Sequence, residues 1–228
     1  MRFNGILLDL DNTLYDYDSA HGNAMASVMN RMQYLTGNDA NLLTGHFKNA
    51  RAHVNRTLAN TAASHNRLLY FQLLCERIGL NSLSHALDLY NCYWNSFLDG
   101  MKLEPGVVEF LEATKGKVCL VTDLTAHIQY RKIERLKLDR WVPYVVTSEE
   151  VGRDKPDAAM FESGMQKLGS QPGSSCMIGD SLPKDIEGAR ALGIEAYWFN
   201  RDGEAIPADP GIHSFRRFDS LSEMLCRS

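Results

Sequence analysis

The sequence predicts an α/β protein: a doubly wound, mainly parallel Rossmann-like sheet carrying an inserted α-helical domain. Two observations carry this. Short apolar runs recur along the chain, each ending in a polar or acidic residue before loop signals, with helical patterns between them. The stretch after the first run is too long for one crossover helix, and its apolar residues keep helical spacing throughout.

The first strand is Ile6-Leu7-Leu8 in "GILLDLDNTLYD", an uninterrupted apolar run of the kind buried on both faces of a sheet. From about Asp16 to Asp99 the pattern is helical and free of proline. In "RLLYFQLLCERIGL", Leu68, Phe71, Leu74, Cys75 and Ile78 share a face, and Gly79 is a natural stop. "LEPG", Leu103 to Gly106, marks the return to the sheet. A second strand, Val118-Cys119-Leu120-Val121, ends at Thr122, and a third, Cys176-Met177-Ile178, ends at Gly179-Asp180. Helical patterns follow at about Ala126 to Leu138 and Pro183 to Leu192, while "VPYVVTSEE" and "GIEAYWFN" supply two further strands. The expected division is a core of residues 1–15 and 100–228 and a helical domain of residues 16–99. Ligands of such sheets bind outside the carboxyl ends of the strands, where these polar residues stand.

Composition narrows the function classes. The chain has 228 residues, a formal net charge of −4 and scattered basic residues, which speaks against a nucleic-acid polymer as partner. Its five cysteines are widely spaced and lack a CxxC pair, so a reducing, cytoplasmic setting is expected rather than a disulfide framework. No segment reads as a signal peptide or a membrane span. Neither a G-x-x-x-x-G-K-[ST] phosphate loop nor a G-x-G-x-x-G turn occurs, and the seven histidines show no ligand spacing.

The chemistry lies in the acids. Residues i and i+2 of a strand project to one face, about 6–7 Å apart at Cα, so Asp9 and Asp11 are expected to share a pocket. Like charges in a sheltered site raise each other's pKa unless a cation compensates. Asp180 ends another strand and Asp185 follows it. Converging carboxylates without nearby His or Cys favour Mg²⁺. An acid-rich surface turn is the plain alternative for the first motif taken alone.

"DLDNTL", "VCLVTD", "GRDKPD" and "GDSLPKDIEGARALG", in this order, resemble the four motifs of the haloacid-dehalogenase-like hydrolase superfamily, over about Phe3 to Phe199. The early helical insertion is similar to that superfamily's helical cap. The resemblance implies Asp9 as nucleophile, forming an aspartyl-phosphate, and Asp11 as the acid and base that serves the leaving oxygen and then the attacking water. It implies Thr122, Asp123 and Lys155 around the phosphoryl group, with Thr122 donating to it and Lys155 neutralising charge. Mg²⁺ would be held by Asp9, the Asp11 backbone carbonyl and Asp180, with Asp185 in or beside that shell. The implied activity is hydrolysis of a small phosphorylated metabolite, a sugar phosphate or nucleotide monophosphate. A sugar-phosphate mutase, a 2-haloacid dehalogenase and a non-catalytic scaffold stay open as alternatives. Displacing halide from carbon needs no proton donor, and the dehalogenases lack an acid two residues after the nucleophile, so Asp11 favours phosphoryl transfer.

Two positions depart from the family pattern. Asp123 stands where relatives of this cap type carry asparagine, and Lys184 where Asn or Asp often precedes the second acid of the last motif. Lys184 either adds positive charge at the site or faces solvent at a helix start, the latter being the expectation. In the inserted domain, His21, Arg51, Arg56 and Arg67 are candidates to bind a substrate's sugar, base or carboxylate but are expected as solvated helix residues, the "CYWNSF" aromatics as packing. Tyr15 and Tyr17 are balanced between packing and substrate contact.

Overall fold

The computed structural model describes residues 2–226. The chain forms two compact units: the residues up to Asp16 together with those from Lys102 onward, and Tyr17–Met101 between them.

The helical unit holds α1 (Tyr17–Thr36), α2 (Ala40–Thr57), α3 (Arg67–Arg77) and α4 (Ser82–Gly100). Asp39, Asn66 and Asn81 begin the last three by accepting backbone N–H groups on their side chains. Gly79, at φ +73°, takes the left-handed conformation that closes α3. Ala20, Ala24 and Val28 of α1 and Tyr93, Trp94 and Phe97 of α4 are buried, as are Phe71, Leu74 and Cys75 of α3. Arg67 departs from its expected solvated place, being 8% exposed. Its guanidinium lies 4.9 Å from the ring centre of Tyr93 and 4.7 Å from that of Trp94, and donates to the Tyr17 hydroxyl and the His65 carbonyl. Aromatic faces attract a cation that has left water, and this is what pulls the residue inward.

The other unit is a six-stranded parallel sheet with helices. In chain order it contains β1 (Gly5–Leu8), α5 (Val107–Ala113), β2 (Val118–Thr122), α6 (Ala126–Leu136), β3 (Tyr144–Thr147), α7 (Ser148–Val151), α8 (Ala158–Leu168), β4 (Ser175–Gly179), α9 (Glu187–Ala191), β5 (Glu195–Phe199), β6 (Ile212–Phe215) and α10 (Phe218–Cys226). A π-helical turn, Leu182–Ile186, precedes α9. The strand order is β3-β2-β1-β4-β5-β6, all parallel.

β1 is central and wholly buried; Leu7, Cys119, Val121 and Met177 share a core with Met160, Phe161 and Ile186. Each fully buried Leu, Ile or Phe contributes roughly 1.5–3 kcal/mol, which is why these runs are apolar without alternation. Leu8 lies opposite Leu120 on one side and Ile178 on the other. The chain leaves β1 for β2 and β3, then returns to its other flank with β4. The switch point therefore falls between β1 and β4, where Asp9 and Asp180 follow their strands. β6 is a strand the sequence pattern did not announce.

Candidate active site

β1 delivers Asp9 at the switch point, and the Asp9 N–H donates to the Ile178 carbonyl at 2.9 Å, adding one rung beyond the strand. The carboxylate is buried. Its Oδ1 accepts from Lys155 Nζ at 2.6 Å and its Oδ2 from the Thr13 hydroxyl at 2.8 Å. Lys155 is buried as well, bridging Asp9 and Asp185, whose Oδ1 lies 2.7 Å from Nζ, and donating to the Val121 carbonyl at 2.9 Å. Burial alone would lower the lysine's pKa, but Asp185 and Asp9 outweigh it and raise it well above its ordinary value, so the ammonium is retained.

Asp180 accepts from Asn12 Nδ2 at 3.1 Å and from the Thr13 hydroxyl at 3.3 Å, and the Trp198 indole N–H holds its backbone carbonyl at 2.8 Å. Asp185 is fixed by the Ser181 N–H at 3.0 Å. Gly179 is required here for space: a Cβ would collide with the Asp185 carboxylate. Carboxylate oxygens of Asp9, Asp180 and Asp185 lie within 4.8 Å of one another. Burial, with the other carboxylates adding to it, pushes Asp9 up to about 7 and Asp180 up to about 6, and raises Asp185. Three acids against one lysine leave an excess of negative charge in a sheltered, all-oxygen site. That donor set fits a hard divalent cation such as Mg²⁺.

Asp11 differs from its expected setting in two ways. It lies past the strand, in a turn where Asn12 takes φ 64°, so the alternation of an extended chain does not set its direction. Nor do its neighbours raise its pKa. Burial pushes upward, but Lys132, Tyr15 and Gln129 prevail and lower it, because all are donors. Lys132 Nζ reaches Oδ1 at 2.6 Å and Oδ2 at 2.7 Å. The Tyr15 hydroxyl donates to Oδ1 and Gln129 Nε2 to Oδ2 at 3.2 Å. Each of the two aspartates thus has its own cation.

Thr122 is buried at the end of β2, its hydroxyl accepting from Gln129 Nε2 at 2.5 Å and donating to the Asp123 carbonyl at 3.3 Å. The Asp123 carboxylate faces a cation: it lies 2.7 Å from Lys184 Nζ and accepts the Lys155 N–H at 2.9 Å. Lys184, expected in solvent, is an ion-pair partner. The side chain of Asp123 is therefore turned to Lys184 and the Lys155 N–H.

Sequence reasoning missed Gln129 and Lys132. They stand i and i+3 on α6, fully buried, yet polar residues at that spacing read as a solvent face. It also missed Thr13, two positions beyond Asp11 and a donor to both Asp9 and Asp180.

A family model described as haloacid dehalogenase-like hydrolase matches residues 6–199. The chain is 37% identical over 205 residues to a ribulose-1,5-bisphosphate 5-phosphatase of Halopiger xanaduensis, covering 88% of this chain and 86% of that protein. It is 25% identical over 241 aligned positions to the pyrimidine 5'-nucleotidase YjjG of Escherichia coli, covering 100% of each. Among solved structures, the HAD-hydrolase YfnB of Bacillus subtilis, crystallised bound to magnesium, superposes with a TM-score of 0.76 at 21% identity, over 99% of this chain and 100% of that one.

Proposed function

The chain belongs to the haloacid dehalogenase-like hydrolase family, and from that premise we propose that it is a magnesium-dependent phosphatase of small phosphorylated metabolites, sugar phosphates first among them. The observation that carries the reading is the division of the aspartates: Asp9 beside Lys155, and Asp11 two residues on, held by Lys132. A dehalogenase has no use for the second carboxylate. The preference for a sugar phosphate rests on the Halopiger relative; a nucleotide monophosphate is the substrate class the Escherichia relative suggests.

Asp9, Asp180 and Asp185, with the Asp11 carbonyl, are the groups to hold Mg²⁺, which would supply positive charge to a phosphoryl group in transfer. Lys155 cancels part of the negative charge that otherwise bars one anion from attacking another. An Asp9 oxygen attacks phosphorus; its O–P bond forms as the ester O–P bond breaks. The departing alkoxide takes a proton by way of Asp11. Because Asp11 rests as a carboxylate, that proton enters with the substrate, whose monoanion persists near its second pKa of about 6. Water then attacks the aspartyl-phosphate, the new O–P bond forming as the Asp9 O–P bond breaks; the water's proton passes to Asp11 and on to solvent, returning Asp11 to the carboxylate as inorganic phosphate departs. The free thiols of Cys75, Cys92, Cys119 and Cys176 accord with a reducing, cytoplasmic setting. No helix among the described residues is long and apolar enough to cross a membrane.

The test is inorganic phosphate release from a panel of sugar phosphates and nucleotide monophosphates. Release is expected with Mg²⁺, fastest on a sugar phosphate, lost to a chelator and restored by Mg²⁺. Asp9→Asn should abolish it. An isomerised phosphate ester in place of free phosphate would mean a mutase, and no turnover on any ester would end the phosphatase reading.

A further inference from the structure

We propose that Lys132, seconded by Gln129, is the positioning residue of proton transfer: it aims the Asp11 carboxylate and thereby sets how well the enzyme handles poor leaving groups. The proposal rests on the phosphatase reading, in which Asp11 moves the proton.

The geometry is more specific than an ion pair needs to be. Lys132 is 0% exposed while the Asp11 side chain keeps 26% of its surface. An ammonium taken fully out of water gives up its hydration. Here that loss is borne for a partner that remains partly open. Nζ meets both carboxylate oxygens almost equally, at 2.6 and 2.7 Å. Each oxygen then has a second, different donor: the Tyr15 hydroxyl on Oδ1 and Gln129 Nε2 on Oδ2. Three donor contacts from Lys132 and Tyr15, with Gln129 Nε2 dividing its two N–H groups among Asp11, Thr122 and the Asp123 carbonyl, fix both the place of the carboxylate and the rotation of its plane. Proton transfer demands such control, since a donor must sit within hydrogen-bond reach of a particular oxygen.

The same helix face also grips the neighbouring group. Gln129 Nε2 reaches Thr122 Oγ1 at 2.5 Å and the Asp123 carbonyl at 2.6 Å. α6 therefore joins the proton-handling carboxylate to the end of β2. A lysine serving only the stability of the fold would be indifferent to the leaving group. One that orients Asp11 would matter most where the departing oxygen needs a proton, and least where it departs readily as a stabilised phenolate.

The experiment compares an alkyl phosphate with 4-nitrophenyl phosphate in wild-type, Lys132→Met, Lys132→Arg and Gln129→Leu enzymes. Lys132→Met is expected to lower the alkyl-to-aryl ratio of kcat/KM at least about tenfold, acid–base catalysis being worth roughly 100- to 10,000-fold. Lys132→Arg should recover at least about threefold of the loss. A Lys132→Met ratio within about twofold of wild type in folded protein overturns the proposal. Should Lys132→Met fail to fold by circular dichroism, Gln129→Leu decides: a ratio lowered at least about threefold supports the proposal and an unmoved one overturns it. A wild-type enzyme that cleaves neither these two esters nor any of the sugar phosphates and nucleotide monophosphates removes the phosphatase reading and this proposal with it, whereas an active wild type with unmoved ratios removes only the role of Lys132.

Discussion

Lys184 Nζ stands 2.7 Å from the Asp123 carboxylate, and these are the two positions at which the motifs depart from the family pattern. The departures compensate each other. A carboxylate next to Thr122 would repel a phosphate; a lysine from the π-helical turn cancels its charge. The side chain of Lys184 is 40% exposed, so water screens the pair and its worth to folding is small. Its effect belongs to anion binding. Lys184→Met should raise the KM for a phosphate ester roughly fivefold, about 1 kcal/mol, with little change in melting temperature. Adding Asp123→Asn should restore most of the affinity. Steady-state kinetics of the four enzymes in the double-mutant cycle check this, and additive effects would refute the compensation.

Gly179 makes a sharper demand, because the Asp185 carboxylate occupies the space a Cβ would take. Gly179→Ala must push Asp185 away from Lys155 and from the Ser181 N–H, both of which hold it now. Displacing one carboxylate should weaken Mg²⁺ at least about tenfold, by analogy with the 10- to 100-fold losses that follow when groups supporting a metal site are disturbed. Isothermal titration with Mg²⁺ measures it. Unchanged affinity would mean that Asp185 lies outside the coordination shell.

What the sequence disclosed and what it hid follow from where the partners lie. Asp9, Thr122 and Asp180 were legible because each follows an apolar run, and a run that stops at an acid in a doubly wound sheet marks the carboxyl edge. Lys132, Lys184 and Arg67 were not. Each looks like an ordinary helix-surface cation, and each pairs with groups distant in sequence: Asp11, Asp123, and the rings of Tyr93 and Trp94. Periodicity reports the average side chain of a face and is silent about a single charge that finds a buried partner. β6 escaped notice for a related reason: in "IHSF" apolar residues stand at the ends alone, too short a signal for a strand.

The acid cluster predicts how stability should vary with pH. In the metal-free protein Asp9 rises to about 7 and Asp180 to about 6, against 3.8 for a free carboxyl. Between those values the folded state binds more protons than the unfolded one, so stability falls as pH rises. The contribution is fully present below about pH 4 and is lost through about pH 6–7. For Asp180 the rise from 3.8 to about 6 corresponds to about 2–3 kcal/mol, or several degrees of melting temperature for a chain this size. Metal-free wild type should therefore lose more stability between pH 5 and 7.5 than Asp180→Asn does. Mg²⁺, which needs the ionised carboxylates, should stabilise wild type more at pH 7.5 than at pH 5. Thermal melts with and without chelator test both, and equal pH slopes in the two proteins would contradict the burial of Asp180's charge.

The helical unit should show the opposite sign. His21 is lowered to about 4, first by burial and then by the positive charges of Arg67 and Arg51. Its Nδ1 lies 2.7 Å from the Tyr93 hydroxyl, and its ring stacks at 5.6 Å on that of Tyr17. The neutral ring shares that hydrogen bond with Tyr93, whereas a protonated ring would set a second positive charge near the buried guanidinium of Arg67. Since the unfolded chain binds the proton from about pH 6.5 downward and the folded one only near 4, this contribution is present above pH 6.5 and is lost as pH falls. Peptides of α1 and α4 should lose amide-exchange protection between pH 7 and 5, after correction for intrinsic exchange. His21→Asn keeps a hydrogen-bonding group for Tyr93 but cannot take the charge, and should flatten that dependence. If wild type and His21→Asn lose protection in parallel, the acid sensitivity of this unit arises elsewhere than at the His21–Arg67 pair.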